Sequence, residues 1–284
     1  MGCDVMFVNN GTGVLKKVLV SRPRFLKPAP INEIAKLWKD TTLDVDKMLE
    51  EHKNFTDTYK KLGIEVEYLE EKESRPNSVF ARDFGGCVKE GYILGNFKLL
   101  LREDEHIDYA AKMEQLGIPM IAKIENGIFE GGDFAFLNEH TIALGMADRT
   151  NEVGLKEMQE QLSPYGYDVV GVPLNPKYLH LDMCFNLVDD YLAVAHLEGL
   201  PEEFRNLLKI MEIDVINVEE EAIFKHGCNL QSLGNHRVLS LKQNSRVNEL
   251  LSNKGMDVIE LDISEILKAG GGPHCMTFPL ERTV

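Results

Sequence analysis

The chain has 284 residues, 44% hydrophobic and 27% charged, the composition of a globular protein that buries a core and not that of a disordered chain. A formal net charge of −15 argues against nucleic acid or an anionic membrane surface as partner, since both reward Lys and Arg clusters. No stretch approaches the roughly 18 apolar residues of a membrane span, and the N-terminus carries no signal-like run, so a cytoplasmic location is expected.

Met1-Gly2-Cys3 raises the question of lipidation, but Met6 stands where a myristoylation motif has Ser or Thr. The cysteines, Cys3, Cys87, Cys184, Cys228 and Cys275, include no C-x-x-C pair and are odd in number. That fits neither a zinc ribbon nor a disulfide framework, so reduced thiols are expected.

Along the chain, strand-like Lys17 to Val20 comes first. Arg22 to Asp40 follows, rich in Pro and apolar residues (Pro23, Pro28, Pro30, Leu37, Trp38), and is expected to form either a lid over a site or a packed surface excursion. Leu62-Gly63-Ile64-Glu65-Val66 then introduces a pattern: a helix end, a Gly or polar stop, and a short apolar strand. It returns at Leu116 to Met120, Tyr165 to Val169, Met211 to Val215 and Lys254 to Val258, a step of about 43 to 54 residues.

Each unit also holds a hairpin signature, two strand-like runs joined by a short polar turn. Val79 to Val88 pairs with Tyr92 to Phe97, and Asp133 to Phe136 turns at Asn138-Glu139 into Thr141 to Leu144. Asn151 to Leu162 reads as an amphipathic helix on the spacing of Val153, Leu155, Met158 and Leu162. Met183 to Leu187 turns at Asp189-Asp190 into Tyr191 to Ala195, and Leu230 to Leu233 turns at Gly234-Asn235 into Arg237 to Leu241. The last run, Met276 to Pro279, is expected to pair with Lys17 to Val20 and close a ring. The prediction is one α/β domain over residues 1–284, five ββαβ units about a common axis, against the alternative of an ordinary α/β sandwich with accidental repetition.

Loops of such units that face the axis are a natural place for a site. Three successive glycines, Gly270 to Gly272, precede Pro273-His274-Cys275, so a thiol stands where a backbone can approach a ligand closely. His180 and Asp182 in Leu179-His180-Leu181-Asp182-Met183 would share one face if that segment were a strand. A mixed metal site of His180, Asp182, His274 and Cys275 is the competing reading, but its spacing matches no known ligand pattern and no metal is expected. Asn77 to Gly86 contributes Asp83, and Phe129 to Phe134 contributes Glu130.

Together these residues suit a guanidinium, which is planar and cationic with donors that carboxylates match bidentately. Asp83 and Asp182 would clamp it, and Cys275 would attack its carbon as thiolate. His180 would protonate the departing amine and then activate water against the covalent thiouronium, with Glu130 orienting it.

PNSVFARD, FEGGD, LHLDMCFN and GGGPHCMTFPL, spread in that order from Pro76 to Leu280, resemble the guanidino-group modifying superfamily, the arginine deiminases most closely. The resemblance implies a five-bladed α/β propeller, the pentein fold, and no cofactor. It implies Cys275 as nucleophile, His180 as general acid and base, Glu130 as the orienting acid, and Asp83 and Asp182 as guanidinium ligands. Arg102 and Arg149 follow Asp83 and Glu130 at the family's intervals for arginines that bind a substrate α-carboxylate, and Asn77 is a further candidate for that pocket. The expected partner is therefore a small guanidino amino acid.

Departures leave the substrate open. Bacterial arginine deiminases are longer, carry an inserted helical domain, and have an arginine where this chain has Ala269-Gly270. Compactness is similar to that of dimethylarginine dimethylaminohydrolases, whose motifs lack the Arg82-Asp83 and His180-Leu181-Asp182 forms. Arginine, methylarginines and a ureido amino acid such as citrulline all remain. So do an amidinotransferase, a basic amino-acid binding protein and, at the level of assembly, a homo-oligomer.

Overall fold

The computed structural model describes residues 7–283, so the lipidation question at Met1-Gly2-Cys3 lies outside the described residues. Short apolar runs punctuated by Gly, Asn and Asp produce short strands. In chain order they are β1 (Val14–Ser21), β2 (Glu65–Leu69), β3 (Gly85–Val88), β4 (Gly91–Leu94), β5 (Met120–Lys123), β6 (Phe134–Phe136), β7 (Thr141–Met146) and β8 (Asp168–Pro173). Then come β9 (Phe185–Asp189), β10 (Leu192–Ala195), β11 (Asp214–Asn217), β12 (Gln231–Gly234), β13 (Arg237–Leu241), β14 (Asp257–Leu261) and β15 (Phe278–Thr283).

The described strands form five three-stranded sheets, ordered β15-β1-β2, β3-β4-β5, β6-β7-β8, β9-β10-β11 and β12-β13-β14. Within each, the first two strands are antiparallel and the third joins in parallel. A parallel strand needs a crossover, and a helix supplies it in every blade, as Glu152–Leu162 does between β7 and β8. This is the five-bladed α/β propeller. Its ring closes where the chain's ends meet, with Leu19 opposite Phe278 and Val18 opposite Pro279 in the β1–β15 pair.

The first strand of each sheet lies nearest the axis: β9 packs against β6 and β12, and β15 against β3. These strands are buried along nearly their whole length, whereas outer β5 is half exposed. Four apolar clusters fill the space between sheets and helices.

The recurring stop has a defined geometry. Gly63, Gly117, Gly166 and Gly255 adopt φ of +77°, +70°, +84° and +83°, and the next residue's N–H reaches back over the helix end, as Ile64 to Tyr59 and Met256 to Leu251 do. This is the left-handed cap that glycine enters without a Cβ clash. The fourth unit makes the same turn with exposed Glu212, at φ +56°.

Two local expectations are corrected. Val79 to Val88 is not one strand, because Ala81–Phe84 winds into a 3₁₀ turn and only Gly85–Val88 joins the sheet. His180 to Asp182 is not strand either, since Leu181–Met183 is a 3₁₀ turn. In both places the backbone leaves the pleat so that polar side chains reach the axis.

Candidate active site

The turns that feed the five axial strands converge at one end of the axis. Asp83 lies just before β3, Glu130 and Asp133 before β6, His180 and Asp182 before β9, Asn229 before β12, and Cys275 before β15. None of these side chains belongs to a residue more than 6% exposed.

They form two linked groups. In the first, His180 Nε2 lies 3.1 Å from Glu130 Oε2, and its Nδ1 lies 3.8 Å from Asp83 Oδ1. In the second, Asp182 Oδ2 accepts from His274 Nδ1 at 2.8 Å and from Asn229 Nδ2 at 3.2 Å, with Cys275 Sγ at 3.6 Å. His180 and Asp182 thus serve different groups, which a shared strand face would not have produced. A Cβ on Gly132 would stand 2.5 Å from His180 Nδ1, so the second glycine of Glu130-Gly131-Gly132-Asp133 makes room for the imidazole. The backbone before His180 is also set unusually: Leu179 has φ 68° and ψ −64°, and His180 N donates to Tyr178 O at 2.8 Å. That is a γ-turn in its rare form, a strained conformation for a non-glycine residue.

Burial opposes charge on His180, but Asp83, Glu130 and Asp133 together raise its pKa to about 10. Burial likewise opposes charge on Glu130, yet the hydrogen bond and charge of His180, with Arg149 and Arg102 near, bring it down to about 2. Burial pushes Asp83 up, against the pull of His180 and Arg102. His274, buried and near Arg82, falls to about 4 and is a neutral donor to Asp182, whose own pKa is held below the ordinary value by that bond against burial. Cys275 is raised well above an ordinary thiol, first by burial and then by Asp182 and Asp83. At neutral pH the cluster therefore pairs an imidazolium with an un-ionised thiol.

Arg102, expected from the resemblance to bind a substrate carboxylate, is 1% exposed and engaged here with Nη1 on Asp83 Oδ2 at 2.5 Å and Nε and Nη2 on Glu105 Oε2 at 3.1 and 2.8 Å. Its Nη2 also donates to the carbonyls of Asn77 and Phe80. Arg149 is less committed: its Nη1 lies 3.4 Å from Glu130, Nε is on Asp148, and Nη2 donates to Ile31 O at 2.5 Å. Asn77 is buried beside this arrangement with neither side-chain atom partnered.

The segment 22–40 lies against the cluster. Besides Ile31, Asn32 Nδ2 reaches Gly270 O at 3.4 Å while its Oδ1 caps the helix Glu33–Leu37. Of the mixed metal set, His274 and Cys275 meet on Asp182 Oδ2 while His180 pairs with Glu130, so the four do not form one ligand cluster among the described residues. Among the described residues Asp83, Glu130 and His180 have ligand atoms within 4.8 Å of one another, but Arg102 and Arg149 already supply the positive charge there.

Asn229 and Glu105 are not singled out by the sequence, and His274 stands there only as a candidate metal ligand. A signal for Asn229 existed: every other unit puts a reactive or acidic side chain one to four residues before its axial strand, and Cys228-Asn229 fills that place in the fourth hairpin unit. An Asn beside a turn reads by default as a turn former.

A pentein ring with carboxylates, an imidazole and a thiol gathered at its axis defines a guanidino-group modifying enzyme of the arginine deiminase and dimethylarginine dimethylaminohydrolase superfamily. Within it, this chain belongs to the dimethylarginine dimethylaminohydrolase family: "N,N dimethylarginine dimethylhydrolase, eukaryotic" matches residues 24–282. An uncharacterised protein of Bacillus subtilis (strain 168), YkgA, is 30% identical over 271 residues, covering 95% of this chain and 93% of its own. The arginine deiminase of Limosilactobacillus reuteri (strain DSM 20016) is 26% identical over 266 residues, 78% of this chain but 65% of the deiminase. Among solved structures, the N-terminal domain of the cyanobacterial arginine dihydrolase ArgZ, bound to product, superposes with a TM-score of 0.83 at 23% identity over 94% of this chain and 97% of that one. Dimethylarginine dimethylaminohydrolase from Pseudomonas aeruginosa, complexed with citrulline, does so at 0.79 and 23% identity over 93% and 99%. At these identities the superpositions speak for the fold.

Proposed function

We propose that the protein hydrolyses the guanidino group of arginine or an N-methylated arginine, yielding citrulline and ammonia or a methylamine. One observation carries this reading. Asp83 and Asp182 are buried beside His180 and Cys275, and each keeps one carboxylate oxygen, Oδ1, without a hydrogen-bond partner among the described residues. Buried carboxylate oxygens in that state favour a ligand that brings both donors and positive charge, and a guanidinium brings both.

The charges give the order of events. The Cys275 thiol is held un-ionised by burial and two neighbouring carboxylates, so a cation seated between them offsets the term that keeps the proton on sulfur. The proton leaves to solvent and the thiolate adds to the guanidino carbon. His180, already an imidazolium, gives its proton to the departing amine as the C–N bond breaks, leaving an S-linked thiouronium. Neutral His180 then takes a proton from water as its oxygen attacks the same carbon. The C–S bond breaks, the product is the ureido amino acid, and the thiol is restored. Glu130 orients His180 and balances its charge throughout.

Arg149 is assigned the substrate α-carboxylate, since Arg102 is held by Glu105 and Asp83. Release of Ile31 from Arg149 would then open the 22–40 segment as substrate enters, giving it the role of a lid. The test is incubation with arginine, monomethylarginine, asymmetric dimethylarginine and citrulline separately, with products identified by mass spectrometry beside Cys275→Ala. Turnover of one compound that disappears in the variant supports the reading and names the substrate. A folded protein that turns over none of them overturns it and directs attention to transfer onto an acceptor amine.

A further inference from the structure

We infer that Asn229 is the residue that makes a thiolate at Cys275 attainable, by donating a hydrogen bond to the sulfur while anchoring the backbone that carries it. This rests on Cys275 being the nucleophile of the proposed reaction.

The side chain of Asn229 is wholly buried, and each of its ends is occupied. Oδ1 accepts from the backbone N–H of His274 at 3.1 Å and of Cys275 at 3.4 Å. Because backbone N–H groups can only donate, the amide oxygen is fixed on that side and Nδ2 on the other. Nδ2 lies 3.0 Å from Cys275 Sγ and 3.2 Å from Asp182 Oδ2. A single amide therefore spans the nucleophile's backbone, its sulfur and one carboxylate of the clamp.

The surroundings of Sγ make this donor consequential. Asp182 and Asp83 both oppose negative charge on the sulfur, and His274 is spent on Asp182. Asn229 is the side chain that donates to Sγ among the described residues, and a hydrogen bond to an ion in a buried setting is stronger than one to a neutral group. The Gly-rich turn is shaped around it: a Cβ on Gly272 would stand 2.6 Å from Asn229 Oδ1, so the third glycine is needed for the amide to fit.

The test reads the thiol directly and needs no turnover. Alkylation of Cys275 by iodoacetamide is followed by intact mass from pH 6 to 11, with Cys275→Ala as the blank for other thiols, in the wild type, Asn229→Ala and Asn229→Asp. The apparent thiol pKa should rise by about one to two units in Asn229→Ala, a ten- to hundredfold loss of thiolate at fixed pH, and further in Asn229→Asp, which sets a carboxylate against the sulfur. A merely structural role leaves the thiol pKa of a folded Asn229→Ala where it is, whereas the carboxylate of Asn229→Asp raises it in either case and serves as the control that the assay reads charge at the sulfur. An unchanged thiol pKa in folded Asn229→Ala overturns the inference. Asn229→Ser replaces Ala if Ala does not fold, with the same rise expected. Because the readout is alkylation, loss of the hydrolase reading in the substrate assay leaves this result to stand or fall separately.

Discussion

Replacing Glu130 with Gln keeps the side chain's shape and an acceptor for His180 Nε2, and removes one charge from the cluster. The 3.1 Å contact is a charge-assisted bond in the wild type and a neutral-acceptor bond in the variant. Bonds to charged groups are worth roughly 1.5–3 kcal/mol against about 1 for neutral ones, so His180 should lose about half to one and a half pKa units. Asp83 and Asp133 still face the imidazole, so its pKa should fall from about 10 toward roughly 9 and not to an ordinary value. At pH 7 the ring stays protonated in both proteins, and the difference appears only in alkali. The alkaline limb of the pH–rate profile, where the proton donor is lost, should therefore move down by roughly the same half to one and a half units.

Stability follows with its own sign. The raised pKa of His180 contributes stability that is complete below the unfolded value of 6.5 and lost as pH rises through about 10; in the variant that loss comes earlier. The depressed pKa of Glu130 contributes stability present above 4.5 and lost as pH falls toward about 2, and the variant lacks it. Titration of the His180 ring carbon by NMR, alongside the rate profile, measures the shift. A His180 that titrates at the same pH in both proteins would refute the assignment of its charge to Glu130.

Two further variants test the framework around the site. Glu105→Gln leaves buried Arg102 with Asp83 as its remaining anionic partner, and should cost about 2 kcal/mol or more in denaturant unfolding; a wild-type midpoint would mean that Glu105 does not hold Arg102. Glu212→Gly replaces an exposed side chain at φ +56° with the residue that the other four caps use, and should stabilise by up to about 1 kcal/mol, raising the thermal midpoint by a few degrees; an unchanged or lower midpoint would show that the cap carries no strain.

The propeller was legible because its period is written in backbone punctuation. Gly63, Gly117, Gly166 and Gly255 mark a conformation that few other residues enter, and the apolar run behind each can only be the parallel strand that completes a blade. Glu212 interrupts the glycines, yet Ile213 and Val215 keep the alternation. The 3₁₀ turns at Ala81–Phe84 and Leu181–Met183 were not legible, since their β-compatible residues bend only because the axis needs side chains there. Asp83, Glu130 and Cys275 stand in Gly-containing loops and His180 and Asp182 two residues apart in another, and it is their recurrence at equivalent places of the repeat, not any one of them, that marks them in the sequence. The engagement of Arg102 could not, because its partner Glu105 opens a helix and reads as an ordinary first-turn acid.

The seam between β1 and β15 has a consequence for the thiol. Cys275 lies three residues ahead of β15, the strand that pairs with β1, so the thiol's position depends on a pairing between segments about 260 residues apart in the chain, Leu19 with Phe278. Where Phe278 is not seated opposite Leu19, the blades on either side of the seam lack their partner and Asp182 and Asn229 lack the sulfur they contact. The thiol's surroundings are thus tied to ring closure: the pairing that joins the first and last described strands is also the one that sets Cys275 against Asp182 and Asn229.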